Sequence, residues 1–257
     1  MTGGIAMATR TKSMRLDLLL VARGLYESRE QAQRAVMAGS IEVAGRRVDK
    51  PGTAVPIDCE LCVAGPREPF VSRAGRKLAA ALDHFAVDPE GRVCLDVGAS
   101  TGGFTDCLLQ RGAKRVYALD VGRGQLHASL RSDPRVVVLE GRNARHLAAG
   151  DLPEAIALAT VDVSFISLRL VVPALIQFLA PGADVVALIK PQFEAPRGSV
   201  GKGGILRDEG LRRSVIAERA RDLEGCGLEL RGMVDSPVAG AGGNREAFAH
   251  LRRRAEP

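Results

Sequence analysis

Two groups of residues in this 257-residue chain have types and spacings that could do chemistry. The first is the stretch Val93 to Thr105. A short apolar run containing Asp96 turns through Gly98, Gly102 and Gly103 into a helical pattern that continues from Asp106 to Gln110. A strand that turns through glycines into a helix leaves free backbone N–H groups at its carboxyl edge, where open α/β sheets bind their ligands. The spacing is G-x-x-x-G-G rather than the dinucleotide pattern G-x-G-x-x-G, so a nicotinamide or flavin is disfavoured. Asp96 suits a ligand carrying positive charge, and S-adenosyl-L-methionine has both a sulfonium and an ammonium. The expected contacts are Asp96, Gly98, Ser100, Thr101, Gly102, Gly103 and Phe104. Asp120 ends the next apolar run, about 20 residues beyond the turn, where an acid can hold both hydroxyls of a ribose. It could instead cap the following helix. Asn143 could approach an adenine, although an asparagine in a loop is more often turn chemistry.

The second group is Lys77, Asp162, Lys190 and Glu246. Asp162 and Lys190 stand at the carboxyl ends of two expected inner strands, where catalytic groups in an open α/β sheet gather. A lysine directly after the apolar run Val185–Ile189 is costly unless paired or used. Desolvation and a neighbouring cation such as Lys77 can adapt an amine to take or hold a proton. The chemistry that fits is removal of a proton from a weakly acidic hydroxyl as it attacks a sulfonium methyl, with in-line alignment supplying much of the rate. Each residue taken alone could be half of a structural salt bridge. The histidines at 84, 127, 146 and 250 have no metal-ligand spacing, and no G-x-S-x-G turn exists, so neither a metal nor a serine nucleophile is expected.

The elements that position these residues follow from periodicity. Strands are expected at Val93–Val97, Arg115–Asp120, Arg135–Glu140, Leu158–Val163, Asp184–Ile189 and Leu228–Asp235, with a last short strand ending near Leu251. Helices are expected from Ser72, as N-cap, to Phe85, from Arg169 to Leu179 (stopped by Pro181-Gly182), and from Asp208 to about Glu224. The β-α alternation gives a doubly wound, seven-stranded sheet, the last two strands a hairpin-like pair and the last antiparallel at the edge. Gly201-Lys202-Gly203-Gly204 lacks the Walker spacing and reads as a mobile substrate flap.

The N-terminal quarter is a separate small α+β module over 14–65, followed by a 66–71 linker and a 72–257 catalytic domain; residues 1–13 read as a disordered tail. In the module, one helix starts near Arg15 and a second, entered at Glu27-Ser28-Arg29, has Ala32, Ala35, Val36 and Met37 inward. A strand, tight turn and return strand span Ser40–Val48. Nine Lys/Arg face five Asp/Glu between Arg10 and Lys50, so Arg15, Arg23, Arg29, Arg34, Arg46, Arg47 and Lys50 could meet phosphates, as could Arg73 and Arg76 beyond the linker. An ordinary solvated charged face is the alternative.

Composition bounds the rest. A hydrophobic fraction of 46% fits a globular protein, and a net charge of +6 makes an anionic partner plausible. No apolar run approaches membrane-spanning length and no secretion signal is visible. Five scattered cysteines then imply reduced thiols in the cytoplasm, and Cys59-x-x-Cys62 has no second pair to make a zinc site.

The small module resembles the S4-type RNA-binding fold through R-L-D-L-L-L-V-A-R-G-L (15–25), S-R-E-Q-A (28–32) and M-A-G-S-I-E-V-A-G (37–45). The whole chain from Met14 to Leu251 is similar to the TlyA family, whose members carry both hemolysin and ribosomal RNA 2′-O-methyltransferase names. The motifs are F-V-S-R-A-G-R-K-L (70–78), D-V-G-A-S-T-G-G-F-T-D (96–106), V-D-V-S-F-I-S-L (161–168), L-I-K-P-Q-F-E (188–194), V-G-K-G-G-I-L-R-D (200–208) and S-P-V-A-G-A-G-G-N-R-E (236–246). The resemblance implies a Rossmann-like S-adenosylmethionine-dependent, FtsJ-like methyltransferase domain. Its K-D-K-E tetrad falls on Lys77, Asp162, Lys190 and Glu246. It also implies methylation of a cytidine ribose in ribosomal RNA, 23S first and 16S as a second target, with the small domain helping to dock the substrate; the cytoplasm and the absence of a metal are expected from the thiols and histidines above, and a monomer is favoured. Gly75-Arg76 before Lys77 departs from the family pattern. The short C-terminal end, 252–257, favours the large subunit alone.

Overall fold

The structure is a computed structural model and describes residues 12–37, 39–63, 69–196, 198–201 and 203–254. Residues 1–11 of the expected 1–13 tail, residues 66–68 of the linker, Lys202 of the glycine loop and the final 255–257 lie outside the described residues; Ser13, expected in the tail, instead pairs with Pro56 in a short strand. The chain divides into two compact units, Met1–Arg67 and Glu68–Pro257.

The first unit holds β1 (Ser13–Arg15), α1 (Leu16–Ala22), α2 (Arg29–Met37), β2 (Ile41–Val43), β3 (Arg46–Arg47), β4 (Ala54–Pro56) and β5 (Leu61–Val63). Leu16, Leu19 and Leu20 of α1 pack on Ala32, Val36, Ile41 and Val55. The α2 residues are an i, i+4 pair, which puts both on one helix face. Met37 lies about 100° round the helix from Val36 and is 61% exposed, so it is not the inward residue expected from sequence. Ala44 and Gly45 both have positive φ (48° and 74°), the conformation a two-residue hairpin between β2 and β3 requires.

The second unit runs α3 (Ala74–Phe85), β6 (Val93–Val97), α4 (Gly103–Gln110), β7 (Arg115–Asp120), α5 (Ala128–Arg131), β8 (Val136–Glu140), β9 (Ile156–Val161), α6 (Leu168–Leu175), β10 (Leu179–Ile189), α7 (Pro191–Glu194), α8 (Glu209–Glu224), β11 (Leu228–Asp235) and β12 (Ala247–Arg253). The sheet order is β11-β12-β10-β9-β6-β7-β8. Strands β6 to β10 pair in parallel, and β12 is antiparallel to both of its neighbours. The last strand is therefore antiparallel, as expected, but it sits inside the sheet and β11 forms the edge. Alternating exposed charges on β11 (Glu229, Arg231) suit an edge that meets water.

Helices cover both faces, so the parallel strands are near-continuous apolar runs. Leu95, Val97, Ala187 and Ile189 join one core; Cys94, Val186, Leu188 and Phe248 join the other with Leu78, Leu82, Phe104 and Leu108. Strand order reverses beside β6: β7 and β8 extend one way, β9 and β10 the other. The carboxyl ends of β6 and β9 thus flank the crevice where such sheets bind ligands.

Besides β9, which spans Ile156–Val161 rather than Leu158–Val163, two boundaries differ from expectation. Helix α3 starts at Ala74 with Arg73 as N-cap and no side-chain cap; Ser72 instead accepts the Gly75 N–H on its carbonyl at 3.0 Å. Asp106 holds this entry by accepting the Val71 N–H at 2.7 Å. Helix α6 ends at Leu175, followed by a 3-10 turn to Phe178, and β10 begins at Leu179. Pro181-Gly182 lies in the irregular start of that strand, where the register shifts between Leu179 and Asp184. Leu179 and Ala183 are buried in the core, which draws this segment onto the sheet.

At the amino end of β10, Asp184 is 7% exposed and takes bonds from Arg92 (2.7 Å) and His250 (2.8 Å). Burial alone would raise its pKa, but the His250 and Arg92 bonds outweigh burial and hold it below the ordinary value. A folded pKa below the unfolded value gives stability that is present above about pH 4 and lost as pH falls through the folded value. Urea unfolding should therefore show Asp184→Asn about 1–3 kcal/mol less stable than wild type at pH 7. That gap should close as the pH is lowered below 4.

Candidate active site

The turn between β6 and α4 is shaped by three glycines with different jobs. Gly98 (φ 85°) receives no side chain because a Cβ there would stand 2.3 Å from the Asp162 carbonyl oxygen. Gly102 (φ 96°) would meet the Leu130 side chain at 2.2 Å, and Gly103 the Ser72 hydroxyl at 2.2 Å. The Leu119 carbonyl accepts the Gly98 and Ala99 N–H groups at 2.8 and 3.1 Å, tying the turn to the end of β7. The carboxylate of Asp120 accepts the N–H groups of Ser100 and Gly122, each at 2.7 Å. It fastens the turn and retains lone pairs toward the cleft.

Two hollows adjoin this turn. One of about 480 Å³ is lined by Gly98, Ser100, Asp120, Asn143, Asp162 and Phe165, among others. A smaller one of about 190 Å³ is lined by Ser72, Ser100, Thr101, Phe104, Ser164 and Lys190, among others. Gly98, Ser100, Asp162 and Ser164 border both, so the two hollows adjoin and together form the trough over the turn. A third hollow of about 480 Å³ surrounds Asp184 and His250 and contains none of the expected site residues.

Asp96 departs from the place expected for it. Strand alternation turns its side chain under α4, fully buried, where the hydroxyls of Thr105 and Thr160 donate at 2.7 and 3.1 Å. Burial pushes its pKa up to about 7 against these bonds. It lines neither hollow; it braces β6, β9 and α4 from below. Asn143 keeps both of its possible roles: its Oδ1 accepts the Arg145 N–H at 3.0 Å, which is turn chemistry, and it lines the larger hollow.

The four candidate catalytic residues form two ion pairs. Lys190 Nζ stands 2.5 Å from Asp162 Oδ1 and donates to Ser164 Oγ at 2.9 Å, at the edge of the smaller hollow. Lys77 Nζ donates to Glu246 Oε2 at 2.6 Å, with side chains only 8% and 2% exposed. Gly240 makes room there, since a Cβ would lie 2.1 Å from Glu246 Oε1. The Lys77–Glu246 pair lines neither hollow. A buried pair of this kind is costly to break, because either partner alone would be an uncompensated charge.

Two residues that sequence reasoning passed over stand at the trough. Ser164 borders both hollows and bonds Lys190. Phe165 is 88% exposed with φ 62°, its ring 4.8 Å from that of Phe193. The available signal was an aromatic residue in a short loop directly after a buried strand.

The expected RNA-facing arginines divide into two kinds. Arg15 donates to the fully buried Asp17 at 3.0 and 2.9 Å, and Arg29 donates to it at 3.0 Å. The Arg15 bond, against burial and with help from Gln33 and Arg29, holds Asp17 well below the usual carboxylate range. Arg23 donates to the Cys59 and Ile57 carbonyls at 2.7 and 2.6 Å. Arg47 packs its guanidinium over Gly39. Arg34, Arg46, Arg73 and Arg76 are exposed. Among the described residues no group of His, Cys, Asp and Glu could hold a metal, and no helix is long and apolar enough to cross a membrane. Burial pushes the Cys94 and Cys107 thiols up to about 12.

Comparison with known proteins places these features. The FtsJ-like methyltransferase family profile matches residues 70–253, and the S4 domain profile matches residues 14–58. The 16S/23S rRNA (cytidine-2′-O)-methyltransferase TlyA of Mycobacterium tuberculosis is 46% identical over 243 residues, 94% of this chain and 91% of that protein. Hemolysin A of Brachyspira hyodysenteriae is 43% identical over 239 residues, 93% of this chain and 99% of that protein. A solved structure named for a hemolysin of Streptococcus thermophilus superposes with a TM-score of 0.76 at 43% identity. It covers 96% of this chain and 90% of that one.

The close passage at Gly98 gives a direct test. Gly98→Ala combines a disfavoured backbone with a contact that only backbone movement relieves, and should cost about 2–4 kcal/mol in urea unfolding. Gly150→Ala, with nothing within 4 Å of the added carbon, should stay within about 0.5 kcal/mol of wild type.

Proposed function

We propose that this chain, which belongs to the FtsJ-like methyltransferase family and carries an S4 domain, methylates the 2′-hydroxyl of a cytidine ribose in ribosomal RNA. The methyl donor is S-adenosyl-L-methionine. The observation that carries the reading is the Lys190–Asp162 pair, at the carboxyl ends of two adjacent strands and on the rim of a trough built over a glycine turn. A relative 46% identical over 94% of the chain, named as a cytidine-2′-O-methyltransferase of 16S and 23S RNA, supports the substrate class.

The trough fits the donor. Gly98 leaves a floor without side chains, and Asp120 offers spare lone pairs at the end of β7, where a ribose diol would bind. Asn143 lies further along the same hollow, beside the place for an adenine. Ser100, Thr101 and Phe104 border the smaller hollow and would enclose the methionine end. When bound, the donor supplies an electrophilic sulfonium methyl.

Lys190, aimed by Asp162 and Ser164, passes its ammonium proton to Asp162 as it takes the proton of the 2′-hydroxyl, so that the oxygen becomes a nucleophile. Asp162 then releases that proton to solvent, and the Lys190–Asp162 ion pair is restored. Lys77, fixed by Glu246 in a water-poor setting, lines neither hollow and holds α3 beside the start of β12. The products are a 2′-O-methylribose, S-adenosyl-L-homocysteine and a proton. Exposed Phe165, held in a strained conformation at the rim, offers a face to the base of the ribose being modified. The S4 unit supplies phosphate contacts through Arg34 and Arg46, while Arg15 and Arg29 are held by Asp17 and Arg23 serves its own unit's carbonyls. The site of action is the cytoplasm, where the ribosomal substrate resides. The hemolysin name of some relatives has no counterpart in a membrane-crossing helix among the described residues.

Two measurements test this. Labelled methyl should pass from S-adenosyl-L-methionine to ribose in large ribosomal subunits taken from a strain lacking the enzyme, with small subunits as the second arm. Lys190→Ala should lower the rate about 10³-fold. No label in either particle would overturn the reading in favour of a non-catalytic RNA-binding assembly factor. Arg34→Ala and Arg46→Ala should each weaken RNA binding and reduce the salt slope by about 1 without loss of stability. Arg23→Ala should show the reverse, with stability falling more than the salt slope.

A further inference from the structure

The turn that follows Lys190 contains a buried acid that the proposed chemistry does not use. Glu194 closes the short helix α7, whose first residues fix Lys190: the Phe193 N–H donates to the Lys190 carbonyl at 2.9 Å. Its side chain is 2% exposed. Oε1 accepts the Leu168 N–H at 2.8 Å, at the first residue of α6, where a carboxylate also complements the helix N-terminus. Oε2 lies 2.8 Å from Nε of Arg219 on α8, a guanidinium that is itself 5% exposed and also pairs with Asp222.

Leu168 ends the loop that begins at Asp162. That loop carries Asp162, Ser164 and Phe165, and Phe165 at φ 62° holds it in a strained shape. Its near end is tied to Lys190 through Asp162 and Ser164, and its middle touches the turn through the Phe165–Phe193 ring contact. Glu194 supplies the tie at the far end. All three ties join the same two segments; Glu194 makes the one at the back, and Arg219 is paired with it.

We infer that Glu194 is a positioning residue: braced by Arg219, it fixes the 162–168 loop against the Lys190 turn and so sets the geometry of the Lys190–Asp162 pair. The inference rests on the methyltransferase reading. A buried carboxylate that accepts a hydrogen bond through Oε1 and is ion-paired through Oε2 admits little movement, and a displacement of about 1 Å in a reacting group can cost about 10²-fold in rate. Arg219 cannot be replaced by solvent at this depth, so loss of its partner leaves a buried charge held by Asp222 alone.

The test compares Glu194→Gln, Glu194→Ala and Arg219→Lys with wild type. Each is assayed for methyl transfer to ribosomal subunits at saturating RNA and S-adenosyl-L-methionine. Binding of S-adenosyl-L-homocysteine is measured by calorimetry, and the folded fraction at the assay temperature by circular dichroism. Glu194→Ala should lose about 10²-fold in kcat, with the KM for RNA and the Kd for S-adenosyl-L-homocysteine within about 3-fold of wild type. Glu194→Gln, which keeps an acceptor for the Leu168 N–H, should recover part of that loss, and Arg219→Lys should fall between wild type and Glu194→Ala. If Glu194→Ala does not fold, the two conservative variants carry the comparison. Variants that match wild type in kcat, or that lose activity only in proportion to folded protein, overturn the positioning role alone. Wild-type protein that transfers no methyl group overturns the functional reading and this role with it.

Discussion

The passage of Gly98 beneath the Asp162 carbonyl is the constraint on which the rest of the catalytic unit depends. Strands β6 and β9 are neighbours at the point where strand order reverses, and the Asp162 N–H donates to the Val97 carbonyl at 2.9 Å. No side chain fits at position 98 while that bond exists. The same close approach puts the turn that shapes the trough directly against the acid that aims Lys190. The floor of the trough and the Lys190–Asp162 pair are therefore one construction, held in register by the backbone rather than by side-chain packing. Backbone register is hard to deform, because shifting it would break the parallel ladder on both sides of β6.

Around this centre the protein buries several charged side chains, and each is matched. Lys77 has Glu246, Asp184 has Arg92 and His250, and Arg219 has Glu194 and Asp222. Asp96 has two hydroxyls and lies in surroundings that favour its protonated form. Such groups contribute less to net stability than apolar residues of the same volume, since desolvation offsets most of the attraction. Their value is geometric: a buried pair has one low-energy arrangement, and here those arrangements locate helix α3, the Lys190 turn and the amino end of β10. The small unit uses the same device on its surface side, where buried Asp17 holds two arginines and a glutamine at once.

Much of this was legible from the residues in order. The glycine turn, the acid at Asp120 and the alternation of apolar strands with helices are local patterns, because strand burial on both faces and φ > 0 at a turn constrain neighbouring residues directly. The strand limits of β6 and β7 follow from those patterns. Where two signals competed, the local one failed. Pro181-Gly182 reads as a helix stop, yet burial of Leu179 and Ala183 in the core takes the segment into β10. Ser72 reads as a cap, but the Val71 bond to Asp106 sets where the chain enters α3.

The sequence by itself determined the class of fold, the position of the glycine turn and the identity of the four polar residues at strand and helix ends. The glycine turn is written in residue types a few positions apart, and each of the four polar residues is marked by the strand or helix pattern beside it. Only the tertiary structure decided which lysine pairs with which acid, because Lys77 and Glu246 lie 169 positions apart and their pairing is a property of the sheet order. It alone turned Asp96 inward, set β12 inside the sheet rather than at its edge, and showed Arg15 and Arg29 held by Asp17. A charge in a sequence carries no record of its partner; the partner is chosen by where the backbone brings a second charge within about 3 Å in the absence of water.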